Sequence, residues 1–289
     1  MKFLSRLPGV AVGVLLLAAS AVHAATVVIG HPQGSVYETT ASVYRIVLER
    51  SGYNVVMKSG PPEMLYEMLA GGECDLYVAA LLPNAQQQLW SEYKENLIQV
   101  APIYYDVKQF WAVPAYVPAS AVKSVADLAS PEVAAKMQKT INGPGVTTSL
   151  MLRSAELMQA YRLSEAGYEL APGTEQEWVD AFKHNVDARN WFVTPLWQPQ
   201  YLNKVAKMRI LEDPKDVFGK PDTAWLIAGK SGRAKFPEQI YDILTRMEFS
   251  VANVNELDYM VNVEKTPPLD AAHLWMSRHP YTIEYWLNM

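Results

Sequence analysis

Residues 190–214 of the chain, NWFVTPLWQPQYLNKVAKMRILEDP, set one indole, Trp197, between Pro195 and Pro199. An indole face is the best aromatic surface for attracting a cation. Prolines on either side, with φ fixed near −65°, reduce the freedom its backbone must lose on ordering. The same ring also suits a core, since Trp is highly buried on average, and the pattern leaves both uses open. Gly34 and Ser35 offer a second chemistry. They follow the His31-Pro32-Gln33 turn and open a helix, where free N–H groups attract an anion, or where Ser serves as an ordinary N-cap. A third group is the Gly/Thr loop Asn142-Gly143-Pro144-Gly145-Val146-Thr147-Thr148, whose backbone donors precede another helix.

Enzyme chemistry finds no comparable footing. The chain contains neither HExxH nor GxSxG, and Ala224 stands where a P-loop ending in Gly229-Lys230-Ser231 needs its first glycine. Gly143-x-Gly145 is half a dinucleotide fingerprint, but Thr148 occupies the third glycine position. His31, His184, His273 and His279 lack metal-ligand spacing, and Cys74, the single cysteine, makes neither a thiolate zinc site nor an intrachain disulfide. No carboxylate stands beside a base or nucleophile in sequence, although a pair assembled only in space stays open. The expectation is a binding protein without cofactor, metal or catalytic group.

At 289 residues the chain suffices for two lobes or one large domain. Its 50% hydrophobic and 19% charged content is ordinary for a globular protein. Residues 1–24 read as a secretory signal peptide: Lys2 and Arg6 form a basic n-region, residues 10–19 an apolar h-region, and Val22-His23-Ala24 a small-residue cleavage site. The apolar run is too short to span a bilayer, and an exported, periplasmic protein is expected, with no cysteine after the cleavage site to carry a lipid. Losing Lys2 and Arg6 leaves 23 basic against 30 acidic side chains, a charge of −7. That balance argues against nucleic acid or an anionic membrane surface as partner.

These residues need elements to position them. Strands are expected over 25–30, 53–58 and 75–81, alternating with helices over 37–51 and 63–70, so that right-handed crossovers build a parallel sheet buried on both faces. Leu81-Leu82-Pro83-Asn84 then lies on the same rim as Gly34. A helix over 86–93 and extended runs over 97–101 and 109–117 follow. Pro114 marks the latter as an edge or crossing strand, which puts Trp111 near a hinge between lobes. A second series has a helix over 127–138, a strand at 140–141, a helix over 149–161, a strand over 168–171 and a helix over 174–185. Thr174 and Glu177 make a capping box for that last helix, and Trp178 packs inside it. Residues 190–214 read as a buried strand over 191–194, a turn carrying Trp197, and a strand over 208–211. A strand over 224–228 and helices over 237–249, 254–263, 268–278 and 282–287 close the chain. The lobes are then 25–112 with 207–289, and 113–206.

Several pieces in this order are similar to one known family. They are Gly52-Tyr53-Asn54-Val55, Gly72-Glu73-Cys74-Asp75 before LYVAALLPN, the VPAYV crossing followed by Val125-Ala126-Asp127-Leu128, the NGPGV loop, W-x-P at Trp197 to Pro199, and Leu211-Glu212-Asp213-Pro214. Over residues 25–289 the chain resembles substrate-binding proteins of glycine betaine/proline/choline ABC importers. The resemblance implies an α/β, two-lobed type II periplasmic binding protein, each lobe a doubly wound, mostly parallel sheet, joined by crossing strands and closing on its ligand. It implies a quaternary ammonium caged by aromatic rings and a carboxylate held by N–H groups and a polar side chain, with Trp197 matching the family's cage Trp. Leu81 stands where many members carry a second cage Trp, and Gln200 where the W-x-P-H motif has His. Tyr37, Trp111 or Tyr201 would then have to complete the cage, and the Gln200 amide would remain a neutral donor. Gly34, Ser35, Asn142, Gly145 and Thr147 are the candidates for the anionic end. The implied ligand is glycine betaine, choline, carnitine or a proline-like zwitterion, and the implied partner a membrane permease, with the binding protein a monomer. An exported sensor or enzyme on the same scaffold, or a receptor for an ordinary amino acid such as histidine, are the other readings.

Overall fold

A β-branched run, Thr26–Pro32, forms the first strand of a computed structural model that describes residues 24–287. Apart from Ala24, the signal peptide expected over residues 1–24 lies outside the described residues. After β1 (Thr26–Pro32) come α1 (Ser35–Arg50), β2 (Asn54–Gly60), α2 (Pro62–Gly71) and β3 (Leu76–Leu82). The chain continues through α3 (Gln87–Tyr93), β4 (Leu97–Pro114), α4 (Pro131–Ala134), β5 (Thr140–Gly143), α5 (Ser149–Ala160), β6 (Glu169–Pro172) and α6 (Glu175–Asp187). Next are β7 (Thr194–Gln198), α7 (Leu202–Val205), β8 (Met208–Ile210) and β9 (Asp222–Gly229). Five helices follow: α8 (Lys230–Arg233), α9 (Glu238–Arg246), α10 (Val251–Asn262), α11 (Pro268–Arg278) and α12 (Pro280–Leu287).

The main sheet has the order β2-β1-β3-β9-β4-β7, with β8 also on β4, and β5-β6 form a separate parallel pair. Parallel pairing holds in β2-β1-β3, where α1 and α2 supply the crossovers that parallel neighbours require, while β9 pairs antiparallel with both β3 and β4. The two runs expected over 97–101 and 109–117 are one strand of 18 residues. Its first part, Leu97 to Val107, pairs with β9; from Lys108 to Ala112 it pairs with β7, and from Ala112 to Pro114 with β8. One strand therefore belongs to two sheets.

Apolar side chains bury on both faces at each end of this strand. Around β1 and β3, Ile29, Val43, Leu226 and Trp275 share one cluster, and Leu65, Tyr77 and Ile227 share another on the opposite face. Around the second part of β4, Trp111 and Val113 join Ile141 and Leu157, whereas Phe110 and Ala112 join Trp178, Phe192 and Leu196. The alternation follows the two-residue period of a strand.

Three local expectations differ from the structure. The helix expected over 127–138 is a 3-10 turn at Val125–Ala129 and a single turn at Pro131–Ala134. Ser130 precedes a proline and is extended, with ψ 135°, because the Pro131 ring disfavours helical backbone in the residue before it. Trp197 lies within a strand rather than in a turn, and Pro195 is tolerated there because β7 is the sheet's last strand. Residues 207–218, expected with the first lobe, pack against the second: β8 pairs with Ala112 to Pro114, and Leu211, Val217 and Phe218 join the Trp111 cluster. The chain crosses back only as it enters β9.

The capping box of α6 is present as expected: Glu177 N–H donates to Thr174 Oγ1 at 3.2 Å, and Thr174 N–H donates to Glu177 Oε2 at 2.7 Å. Thr174→Ala is expected to lower the unfolding free energy by about 1 kcal/mol. Urea denaturation of the two proteins measures it.

Candidate functional site

Where β4 changes partner, a cavity of about 510 Å³ opens between the two halves. Val107, Lys108 and Gln109 of β4 line it together with Tyr37, Leu81 and Trp197. Two hollows of about 590 and 540 Å³ lie among the C-terminal helices, lined by residues such as Tyr281 and His273, and no strand residue lines either. The cavity at the strand ends gathers rings and polar groups from both halves where ligands bind in open α/β sheets.

Trp197 is half-buried and stacks on Trp178, with ring centroids 5.4 Å apart and planes at 24°. Trp178 is itself buried, and its indole N–H donates to Thr194 Oγ1 at 3.2 Å. The Trp197 carbonyl accepts from Asn203 Nδ2 at 2.9 Å. A fixed ring thus backs the exposed one, so the indole meets the cavity without having to order itself first. Tyr37 comes from the first turns of α1, and burial, followed by the Asp258 charge, holds its phenol above the ordinary value. It stays neutral. Phe218 adds a third ring from the returning chain.

Leu81 reaches the cavity through a bulge. Strict alternation from Leu76 would put it on the Tyr77 face of β3, but the register with β9 shifts between Val78 and Ala80. Ala79 sits in the left-handed region, φ 72°. The extra residue exchanges the faces, as bulges do, and Leu81 turns to the side shared with Tyr37. Beyond it, Asp222 ties the loop down: Oδ1 accepts from Asn84 N–H at 2.6 Å and from its side-chain amide at 3.1 Å, and Oδ2 accepts from Ala85 N–H at 3.1 Å. Both carboxylate oxygens are engaged.

The remaining lining is cationic and polar. Lys108 pairs with Asp106 at 2.9 Å, Arg153 with Glu156 at 2.9 Å and Lys220 with Asp216 at 3.3 Å. These pairs are exposed enough to be weak, so each cation remains available to a ligand. Gln109 Nε2 donates to Ser149 Oγ at 2.6 Å, and Ser149 and Arg153, four apart on α5, share the face that lines the cavity.

Of the residues singled out from sequence, Trp197, Tyr37 and Leu81 line this cavity. Trp111 does not: it is 1% exposed in a core with Val113 and Leu157, its indole N–H donating to Ser154 Oγ at 2.8 Å. Tyr201 is buried beside Phe182 and Leu202, its phenol pushed up to about 12, chiefly by burial. Gln200 is 1% exposed and both of its side-chain amide atoms lack a partner, while its backbone N–H donates to Asn255 Oδ1 at 2.7 Å.

The expected anion site at Gly34 and Ser35 is taken by the protein itself. Ser35 Oγ donates to Asp258 Oδ1 at 2.7 Å, so a buried carboxylate already faces the start of α1. Asn142, Gly145 and Thr147 do not line the cavity; Asn142 belongs to β5, and Thr148, not Thr147, caps α5. Sequence reasoning missed Lys108, Gln109, Ser149, Arg153, Phe218 and Lys220. The i, i+4 spacing of Ser149 and Arg153 was a legible signal, whereas nothing local marks Phe218. Among the described residues no group of His, Cys, Asp and Glu is placed to hold a metal, and burial pushes the Cys74 thiol up to about 12.

Two α/β halves sharing one long strand, with a ring-lined cavity at the changeover, define the class of type II periplasmic binding proteins. The family described as "substrate binding domain of ABC-type glycine betaine transport system" matches residues 25–278, and the chain belongs to it. This is a family of transport binding proteins, not of enzymes. Lactococcal OpuAC, solved in complex with glycine betaine, has the same fold, with a TM-score of 0.70, 20% identity and coverage of 91% of this chain and 100% of that one. A ProX protein from Borrelia burgdorferi aligns with a TM-score of 0.69 and 21% identity over 90% and 96% of the two chains. The glycine betaine/carnitine transport binding protein of Listeria monocytogenes is 20% identical over 160 residues, 55% of this chain and 53% of that relative, so the match spans about half its length.

Two measurements test this geometry. Asp222→Ala leaves the Asn84 and Ala85 N–H groups without their acceptor and is expected to cost about 1–3 kcal/mol in urea denaturation. Burial raises the Asp258 pKa above its ordinary 3.8, so the folded state binds that proton more tightly than the unfolded chain. Its stabilising contribution is full below the unfolded value and is lost as pH rises through the raised folded value. Denaturant midpoints at stepped pH should therefore show wild type gaining on Asp258→Asn as pH falls through that window.

Proposed function

We propose that the protein is an exported, monomeric receptor that captures a small quaternary amine or zwitterion between its halves and delivers it to the permease of an ABC importer. The carrying observation is Trp197, half-exposed in the cavity and backed by Trp178, with Tyr37 and Phe218 also on the walls. A permanent cation without N–H groups has no hydrogen-bond donor to offer, so ring faces are what recognise it. Each desolvated face contributes roughly 2 kcal/mol. Leu81 contributes shape but no π surface, and Phe218 makes up part of that loss.

The anionic end is supported by the cations of the lining, whereas Gln200, buried and unpartnered, lies outside that lining. Lys108, Arg153 and Lys220 line the same cavity while its carboxylate, Asp222, is occupied by N–H groups. That balance favours a zwitterion such as glycine betaine, carnitine or a proline betaine over choline, which brings a positive charge alone. The relatives named for glycine betaine and carnitine agree with this class.

Calorimetric titration with glycine betaine, choline, carnitine, proline and histidine is expected to find one zwitterionic binder at micromolar or tighter affinity, ahead of choline. Silence across the panel would remove the ligand class. Trp197→Ala should weaken that binder by roughly 1.5 to 3 kcal/mol. A variant that melts earlier yet binds unchanged would return Trp197 to a purely structural role.

A further inference from the structure

Asp258 lies on α10, 3% exposed, and its carboxylate accepts from three donors. Oδ1 accepts from Ser35 Oγ at 2.7 Å and from Asn262 Nδ2 at 2.8 Å, and Oδ2 accepts from Tyr201 N–H at 2.8 Å. The two oxygens therefore hold two different stretches of chain, 223 and 57 residues away in sequence. Each stretch carries a ring of the cavity. Ser35 stands two places before Tyr37 in the opening of α1. Tyr201 follows Gln200, whose carbonyl shares Asn203 Nδ2 with the carbonyl of Trp197, both at 2.9 Å. Asn255, one turn earlier on α10, repeats the tie by accepting from Gln200 N–H at 2.7 Å.

α10 itself bridges the halves. Val254, Leu257 and Met260 pack in the cluster of β1 and α1, while Tyr259 and Val263 pack on the cluster of Trp178 and Leu196. Lys204 lies over the Tyr259 ring at 4.9 Å. An amide at position 258 would turn an N–H toward one of the donors it now accepts from, so the site calls for a carboxylate specifically.

We infer that Asp258 is a positioning residue that sets the separation of the Tyr37 and Trp197 rings across the cavity, and through that spacing the size of the cationic head the site accepts. This rests on the cavity being the ligand site proposed above. It concerns a residue that does not touch the ligand.

The test uses full-length protein labelled with 5-fluorotryptophan, with the Trp197 fluorine resonance assigned by Trp197→Phe. Asp258→Asn and Ser35→Ala are compared with wild type; Ser35→Ala removes the hydroxyl that donates to Asp258 and accepts from Asn262, and keeps the measurement available if Asp258→Asn folds poorly. The Trp197 resonance is expected to shift or split while those of the core Trp111 and Trp275 stay in place. The affinity ratio of glycine betaine to dimethylglycine is expected to change several-fold. A merely structural carboxylate would lower the melting temperature and weaken both ligands together. An unmoved Trp197 resonance in both variants overturns the inference, and a moved resonance with an unchanged affinity ratio overturns its claim on selectivity. If wild type binds nothing in the panel, the ligand reading fails, while the fluorine spectrum still decides the positioning.

Discussion

The backbone hydrogen bonds of β4 change partner between Val107 and Lys108, from β9 on one side to β7 on the other. A strand's N–H and C=O groups must all be paired when buried, so this changeover fixes where two sheets meet. The register slips three times on the approach, and Asp106 takes a left-handed φ of 62° at the junction. The irregularity leaves space beside the strand, and the cavity occupies it. Everything else that lines the site is arranged around that break in the ladder.

Electrostatics then divides the labour within the cavity. The N-terminus of α1 would be a natural anion site, but Asp258 already faces it and donors saturate the carboxylate. Burying a charge is costly unless it is hydrogen-bonded, and here three donors from three segments do that. The cations that line the cavity come instead from β4, α5 and the returning chain. The protein is acidic as a whole, at −5, yet the side chains it turns into this cavity are mainly positive.

The rings follow a similar logic of substitution in space. Trp178, from α6, stacks behind Trp197 and stiffens it. Leu81 occupies a position where the resemblance calls for another indole, and the bulge at Ala79 still aims it into the cavity. Phe218, 137 residues further on, brings an aromatic face to the same space.

Much of this was determined by local sequence. The alternating strands and helices of residues 26–82, the capping box at Thr174 and Glu177, and the proline-flanked indole each depend on neighbours within a few positions, and each is legible there. Only the tertiary structure decided that Ser35 serves Asp258 instead of a ligand, that residues 207–218 stay with the second half, and that Phe218, Lys108 and Arg153 share one cavity with Trp197. Those outcomes depend on contacts between segments tens to hundreds of residues apart, and hydrogen bonds of that range leave no periodicity in the chain that makes them.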